Sequence, residues 1–472
     1  MISFFIALGV LLAGYLLYGR LVESIIGPDD RDTPAIALAD GIDYVSMPRW
    51  KTFLIQLLNI AGTGPIFGAL MGAVFGPVVF LWITFGSILG GAVHDYLIGM
   101  ISERNRGASI AELAGIYLGR GAKYIMRVFS VLLLLLVGTV FVTSPAALLA
   151  KLTPESIGMT FWTAAILGYY VLATLLPIDK IIGKLYPVFG ITLLVMAFGI
   201  IAGLLAGGYR IPEVTLSNSH PEGLPIWPYM FVTVACGAIS GFHATQSPLI
   251  SKCITSEKQG RSIFYGAMIA EAVIALVWAA AGAAFYDGSG DLLQALTDFG
   301  QSAVVYDISK GVLGSFGGIL AIVGVVACPI TSGDTAFRSA RLILAEWSGL
   351  HQGKLRNRLV LTLPLLALSA VLTQMDFNVL WRYFSWSNQT LAMIVLWCAS
   401  VYFIRNGKPL HFLLPGLPAA FMTAVSVTYI LMAQEGLSLP AALAYPVGIA
   451  AALAAFLWCC IYARRSTPEI RN

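Results

Sequence analysis

Two of the long apolar stretches in this chain are interrupted in their middle by glycine and proline. One break runs Asn59-Ile60-Ala61-Gly62-Thr63-Gly64-Pro65, the other Gly237-Ala238-Ile239-Ser240-Gly241-Phe242-His243-Ala244-Thr245-Gln246-Ser247-Pro248. Hydrocarbon offers no hydrogen bonds, so every backbone N–H and C=O at membrane depth must be bonded within the protein. An interrupted helix survives there only against protein or a wet cavity. Two such breaks in corresponding positions of two halves mark the substrate site of a secondary transporter.

Composition puts these stretches in a membrane. Hydrophobic residues make up 58% of 472 positions and charged residues 11%, and runs such as Val131 to Val137 carry no charge. Met1 to Tyr18 has neither a basic leader region nor a small-residue cleavage site, so it reads as a retained span rather than a signal peptide. Cys236, Cys253, Cys328, Cys398, Cys459 and Cys460 lie in or beside apolar segments without metal-ligand spacing and read as small core residues. No G-x-x-x-x-G-K-[ST] phosphate loop occurs, so the expectation is a non-enzyme without a cofactor.

Charged residues and Gly/Pro/Asn clusters divide the chain into about thirteen segments able to cross a bilayer. They cover 2–19, 52–76, 77–103, 124–150, 160–177, 185–208, 227–250, 262–286, 311–347, 358–375, 379–404, 409–433 and 438–463. With the loops assigned alternately to two sides, only Lys151, Arg210, Lys310 and Arg382 of the 28 Lys and Arg residues fall on one of them. That asymmetry predicts a multi-pass protein of the plasma (inner) membrane with its N-terminus outside and its C-terminus cytoplasmic. The net charge of +4 follows from the same rule, so the expected partners are the lipid bilayer and a small solute, with no nucleic acid and no obligatory protein partner.

Four uninterrupted segments follow the first break before the second, and four more follow the second. Because each set of five is odd, the second starts from the opposite side of the membrane, which makes an inverted repeat. The expected fold is therefore an all-α polytopic membrane protein of the LeuT type, a 5+5 inverted repeat whose first helix is discontinuous in each half. Residues 1–51 form an N-terminal helix and cytoplasmic linker, 52–208 the first repeat, 227–404 the second, and 405–472 two further helices and a cytoplasmic tail.

Several blocks also carry a family resemblance. Asp43-Tyr44-Val45, Ile60-Ala61-Gly62-Thr63-Gly64-Pro65, Gly91-Ala92-Val93-His94-Asp95-Tyr96 and Ile182-Gly183-Lys184-Leu185-Tyr186-Pro187 resemble signature blocks of the carbon starvation protein family (CstA). So do Gly237-Ala238-Ile239-Ser240-Gly241-Phe242-His243-Ala244, Tyr265-Gly266-Ala267-Met268 and Ser387-Asn388-Gln389-Thr390-Leu391-Ala392. The resemblance implies a transporter of the amino acid, polyamine and organocation superfamily, whose members are tied to proton-coupled pyruvate uptake and to peptide uptake under nutrient limitation. Gln56 and Leu57 stand where long members carry paired histidines, and the chain is shorter than those members at its C-terminal end.

The breaks have a chemistry of their own. Unwinding frees N–H groups at the start of one half-helix and C=O groups at the end of the other, which suit a carboxylate and a cation respectively. Gly62, Gly64 and Gly241 permit close backbone approach; Thr63, Ser240 and Thr245 supply hydroxyls; Phe242 and His243 complete the expected substrate set. The competing reading makes these glycines packing positions between helices.

Candidate coupling residues are the ionisable and oxygen-bearing side chains at depth. His94 and Asp95 form either a proton relay or a static tie, and Glu271 sits mid-span with no partner legible in the sequence. Thr331, Ser332, Asp334 and Thr335 cluster within little more than one turn, with Na⁺ at Thr331 and Ser332 as one reading. Arg338, four residues after Asp334, is the static alternative. Lys184 reads as a fixed cation or as a topology anchor. The expected function is import of a small carboxylate, amino acid or short peptide coupled to H⁺, with Na⁺ coupling, a channel or a membrane nutrient sensor as alternatives.

Overall fold

The computed structural model describes residues 1–41, 44–175 and 178–466, with backbone alone over 178–186 and at 466. Among the described residues all regular structure is helical. Helix α1, Ile2–Ile26, ends on Gly27, whose φ of 68° closes the helix in the left-handed conformation. The first break separates α2, Arg49–Ile60, from α3, Gly64–Ala73, and the two are bent by 49°. Then come α4 (Val79–Arg104), α5 (Ile110–Leu118), α6 (Arg120–Leu152), α7 (Met159–Leu175) and α8 (Ile178–Ala206).

The second broken segment begins with the helical turns Ile226–Met230 and Phe231–Thr233 and resumes as α9, His243–Ser251. It is followed by α10 (Glu257–Phe285), α11 (Ser289–Phe299), α12 (Gln301–Ser348), α13 (Leu355–Leu372), α14 (Phe377–Arg405), α15 (Pro409–Met432) and α16 (Ala441–Ser466).

Ten of these helices are long and apolar enough to cross a bilayer, eleven with α2 and α3 taken as one span. The expected thirteen is not reached. Helix α7 has 17 residues, and the pieces of the second broken segment are shorter still. A second difference lies at the expected segment 311–347, where α12 starts at Gln301 and bends at Gly314, a residue at φ 63°. Helix α11 precedes it and buries only Leu292, Ala295 and Leu296, an amphipathic face that a search for apolar runs does not register.

What positions the site is the packing of one break on the other. A Cβ added at Gly64 would lie 2.6 Å from Cys236 Sγ, at Gly68 3.3 Å from the Thr233 carbonyl oxygen, and at Gly72 2.5 Å from a Val234 methyl. These glycines recur every fourth residue and give α3 a flat face on which the approach to the second break lies.

Candidate substrate and ion site

At the second break the chain leaves helical geometry at Val234, φ −84° and ψ 66°, and takes a positive φ of 88° at Gly237. The freed backbone groups are taken up by side chains from three other helices. Asn388 on α14 donates to the Ala235 carbonyl at 2.6 Å and accepts from the Phe242 N–H at 2.7 Å, while its own carbonyl accepts from the Gly241 N–H at 3.1 Å. Gln389 donates to the Phe231 and Val234 carbonyls at 2.9 and 3.2 Å. Glu271 on α10 accepts from the Gly237 N–H at 3.1 Å, and Ser87 on α4 donates to the Gly237 carbonyl at 2.8 Å. Gly241 is a close-approach position, since a Cβ there would lie 2.3 Å from the Asn388 carbonyl oxygen and 2.5 Å from the Ala392 nitrogen.

Next to this break lies a chain of fully buried ionisable groups. His94 Nδ1 is 2.7 Å from one oxygen of Asp95, and His243 Nδ1 is 2.8 Å from the other. On its far side His243 Nε2 faces Glu271 Oε2 at 3.3 Å. Glu271 therefore has partners, His243 and the Gly237 N–H, which no local spacing in the sequence could name. The wide helical turns Trp82–Gly91 immediately precede His94 and set the register that brings Asp95 to the break. Cys236, read from the sequence as a small core residue, brings its sulfur into the same cluster: ligand atoms of Cys236, His243 and Glu271 all lie within 4.8 Å of one another.

The first break meets α12. Ser332 donates to the Leu58 carbonyl at 3.1 Å, a group released where α2 unwinds. Thr331 and Thr335 bond back to their own helix, to the Cys328 and Ser332 carbonyls at 2.7 and 2.9 Å. Asp334 pairs with Arg338 at 3.2 Å, both buried. Gln56 donates to Ser247 at 3.3 Å and so ties α2 to α9. The Thr63 hydroxyl and the Asn59 side-chain oxygen are buried with no hydrogen-bond partner among the described residues. The side chain of Lys184 lies outside the described residues.

Gly62, Thr63, Gly64, Ser240, Gly241, Phe242, His243 and Thr245 are all buried, so the breaks are closed to solvent. Ser240 donates to the Asn388 side-chain oxygen at 3.2 Å, and Phe242 stands edge-on to Phe141, centroids 6.3 Å apart. Two vestibules lie toward opposite ends of the helices. One, about 420 Å³, is lined by Met71, Phe75, Gln301, Trp381, Arg382 and Glu435. The other, about 320 Å³, is lined by Tyr44, Arg106, Thr245, Lys252, Ser339 and Glu346, and Thr245 carries the second break onto its wall.

Comparison with known proteins agrees with this architecture. The family model described as carbon starvation protein CstA matches residues 1–174, 148–288 and 294–429. An uncharacterized membrane protein of Haemophilus influenzae is 44% identical over 351 residues, covering 63% of this chain and 94% of that protein. The peptide transporter CstA of Bacillus subtilis is 29% identical, covering 57% of this chain and 55% of its own length. The pyruvate/proton symporter BtsT of Escherichia coli is 28% identical, covering 57% and 47%. This chain thus spans about half the length of those two transporters. Among solved structures, a manganese transporter of Eremococcus coleocola aligns with a TM-score of 0.58 at 14% identity, over 91% of this chain and 99% of that one, a likeness of fold.

Proposed function

Because the chain belongs to the carbon starvation protein CstA family, we propose that it is a secondary active transporter that imports a small carboxylate-bearing solute, of the size of pyruvate or a short peptide, together with protons. The observation that carries this reading is the bonding of the buried chain His94, Asp95, His243 and Glu271 to the backbone of the second break. Two carboxylates and two imidazoles at depth have a net charge set by how many protons they hold, and an unbalanced charge in a low dielectric is costly. A proton arriving or leaving changes the bond that Glu271 makes to the Gly237 N–H, so loading is felt by the segment that unwinds.

The substrate's place is between the breaks. The start of α3 turns the positive end of its dipole toward this space, which favours a carboxylate, whereas at the start of α9 the Gly241 and Phe242 N–H groups are held by Asn388 and would have to be released to reach a ligand. The Thr63 hydroxyl and the Asn59 side-chain oxygen are buried polar atoms with no hydrogen-bond partner among the described residues. Binding there draws two half-helices together, and the two vestibules are the routes by which each side would open. Protons are favoured over Na⁺ because Asp334, the one carboxylate of the oxygen cluster on α12, is already paired with Arg338, which leaves only neutral hydroxyls there to balance a cation.

Purified protein in liposomes tests this. An inward proton gradient should concentrate labelled pyruvate or a labelled dipeptide, with saturable kinetics. Uptake that follows a Na⁺ gradient and ignores pH would reassign coupling to Thr331 and Ser332. Equilibration without accumulation would mark a channel, and binding without movement a sensor.

A further inference from the structure

We propose that Cys236, His243 and Glu271 form a binding site for one divalent transition ion of the zinc class, seated on the second break. The argument begins with an orphaned pair of atoms. His243 Nδ1 is committed to Asp95 at 2.8 Å, so in the neutral ring Nε2 carries a lone pair, and it faces Glu271 Oε2 3.3 Å away. Both Nε2 and Oε2 are buried, and neither has a hydrogen-bond partner among the described residues. When the ring is neutral, two acceptors face one another across this gap and call for a positive charge between them, a place that a proton or a metal ion can take.

A zinc-class ion fits that gap. With metal–nitrogen and metal–oxygen bonds of about 2.0–2.1 Å at a tetrahedral angle, the N···O edge comes to roughly 3.3 Å. The observed separation is 3.3 Å. The sulfur of Cys236 lies within 4.8 Å of both other ligand atoms, so a modest side-chain rotation brings it to bonding distance. A thiolate and a carboxylate with a neutral imidazole balance a divalent charge, whereas a hard ion such as Mg²⁺ would not select sulfur.

The surrounding bonds are those a metal site uses. Asp95 on the far nitrogen of His243 fixes the ring and its tautomer, as carboxylates do behind ligating histidines. The other oxygen of Glu271 accepts from the Gly237 N–H, and the Asn388 amide nitrogen stands 3.6 Å from the sulfur. Cys236 and Gly237 belong to the unwound stretch and Glu271 to α10, so a bound ion would pin the break against its neighbour. Since all three side chains are buried, the ion enters when the break moves.

Purified, chelator-stripped protein titrated with Co²⁺ and Zn²⁺ decides the matter. Co²⁺ should give tetrahedral ligand-field bands with a thiolate-to-metal charge-transfer band, saturating near one ion per chain, and Zn²⁺ should bleach both. Cys236→Ser should abolish the charge-transfer band and weaken Zn²⁺ binding by about a hundredfold, and Glu271→Gln should keep the band with at least tenfold weaker binding. Cys398→Ser should change nothing. Absence of the band, or its survival in Cys236→Ser, overturns the proposal; should Cys236→Ser fail to fold, a band unaffected in both position and affinity by Glu271→Gln overturns it equally. One consequence rests on the transport reading: Zn²⁺ should slow counterflow by the native chain at lower concentration than by Cys236→Ser. Co²⁺ bands without any effect on counterflow would keep the site and count against that reading alone.

Discussion

The side-chain oxygen of Asn388 accepts the backbone N–H of Phe242 at 2.7 Å while its amide nitrogen donates to the Ala235 carbonyl at 2.6 Å, so one side chain bridges the second break from end to end. Replacing it by alanine strands a buried donor and a buried acceptor, each worth roughly 1–3 kcal/mol when left unmade. Asn388→Ala should lower the melting temperature measurably in detergent and abolish uptake. A variant that melts with the native protein would show that the break is held by something other than this amide.

Asp95 is the group on which the coupling reading is most exposed. It takes both His94 and His243 and has no exposure to solvent. Asp95→Asn keeps the shape and removes the charge, so accumulation driven by a pH gradient should be lost. Counterflow exchange should persist, because exchange needs no net release of the coupling ion. Full pH-driven accumulation by Asp95→Asn would remove this residue from the coupling path.

Asp334 differs in kind. Its carboxylate is paired with buried Arg338 one turn away on the same helix, and removing one partner of a buried pair leaves the other uncompensated, at about 3–5 kcal/mol. Asp334→Asn should therefore depress stability more than it changes the choice of ion, and Asp334→Asn with Arg338→Gln should recover much of the loss. Melting curves of the native protein and the two variants give the answer. Equal stability of Asp334→Asn and native protein, with uptake newly indifferent to Na⁺ or pH, would make Asp334 the coupling residue instead.

How far the sequence reaches can be judged at particular residues. The two breaks are legible because glycine and proline within an apolar run have few other uses, and the helices fall close to where the punctuation puts them. The amphipathic α11 is not, since it interrupts no apolar run and contributes none. At the site, His243 and Glu271 are each conspicuous as ionisable groups at depth, yet their meeting at 3.3 Å depends on how α10 crosses the broken segment. That angle is a product of packing, in which Gly237 allows the close approach, since a Cβ added there would lie 2.4 Å from that of Ala275. Cys236 is missed for the same reason: its neighbours in space are 7 and 35 positions away in the chain.

Thr63 separates binding from folding. Its hydroxyl is buried at the first break, has no hydrogen-bond partner among the described residues, and sits immediately before the N-terminus of α3. If the hydroxyl serves the fold, Thr63→Val should cost stability; as a substrate contact it should not, because nothing in the resting protein loses a bond. Thr63→Val is expected to melt within about 0.5 kcal/mol of native. Its KM for pyruvate or dipeptide should rise roughly tenfold, the loss of one hydrogen bond of about 1.4 kcal/mol. The contrasting variant is Gly241→Ala, whose Cβ would overlap the backbone of α14 at Asn388 and Ala392; it should lower stability and uptake together. Measuring melting temperature and KM on both variants distinguishes the two roles, and an unchanged KM in a well-folded Thr63→Val would take the first break out of the substrate site.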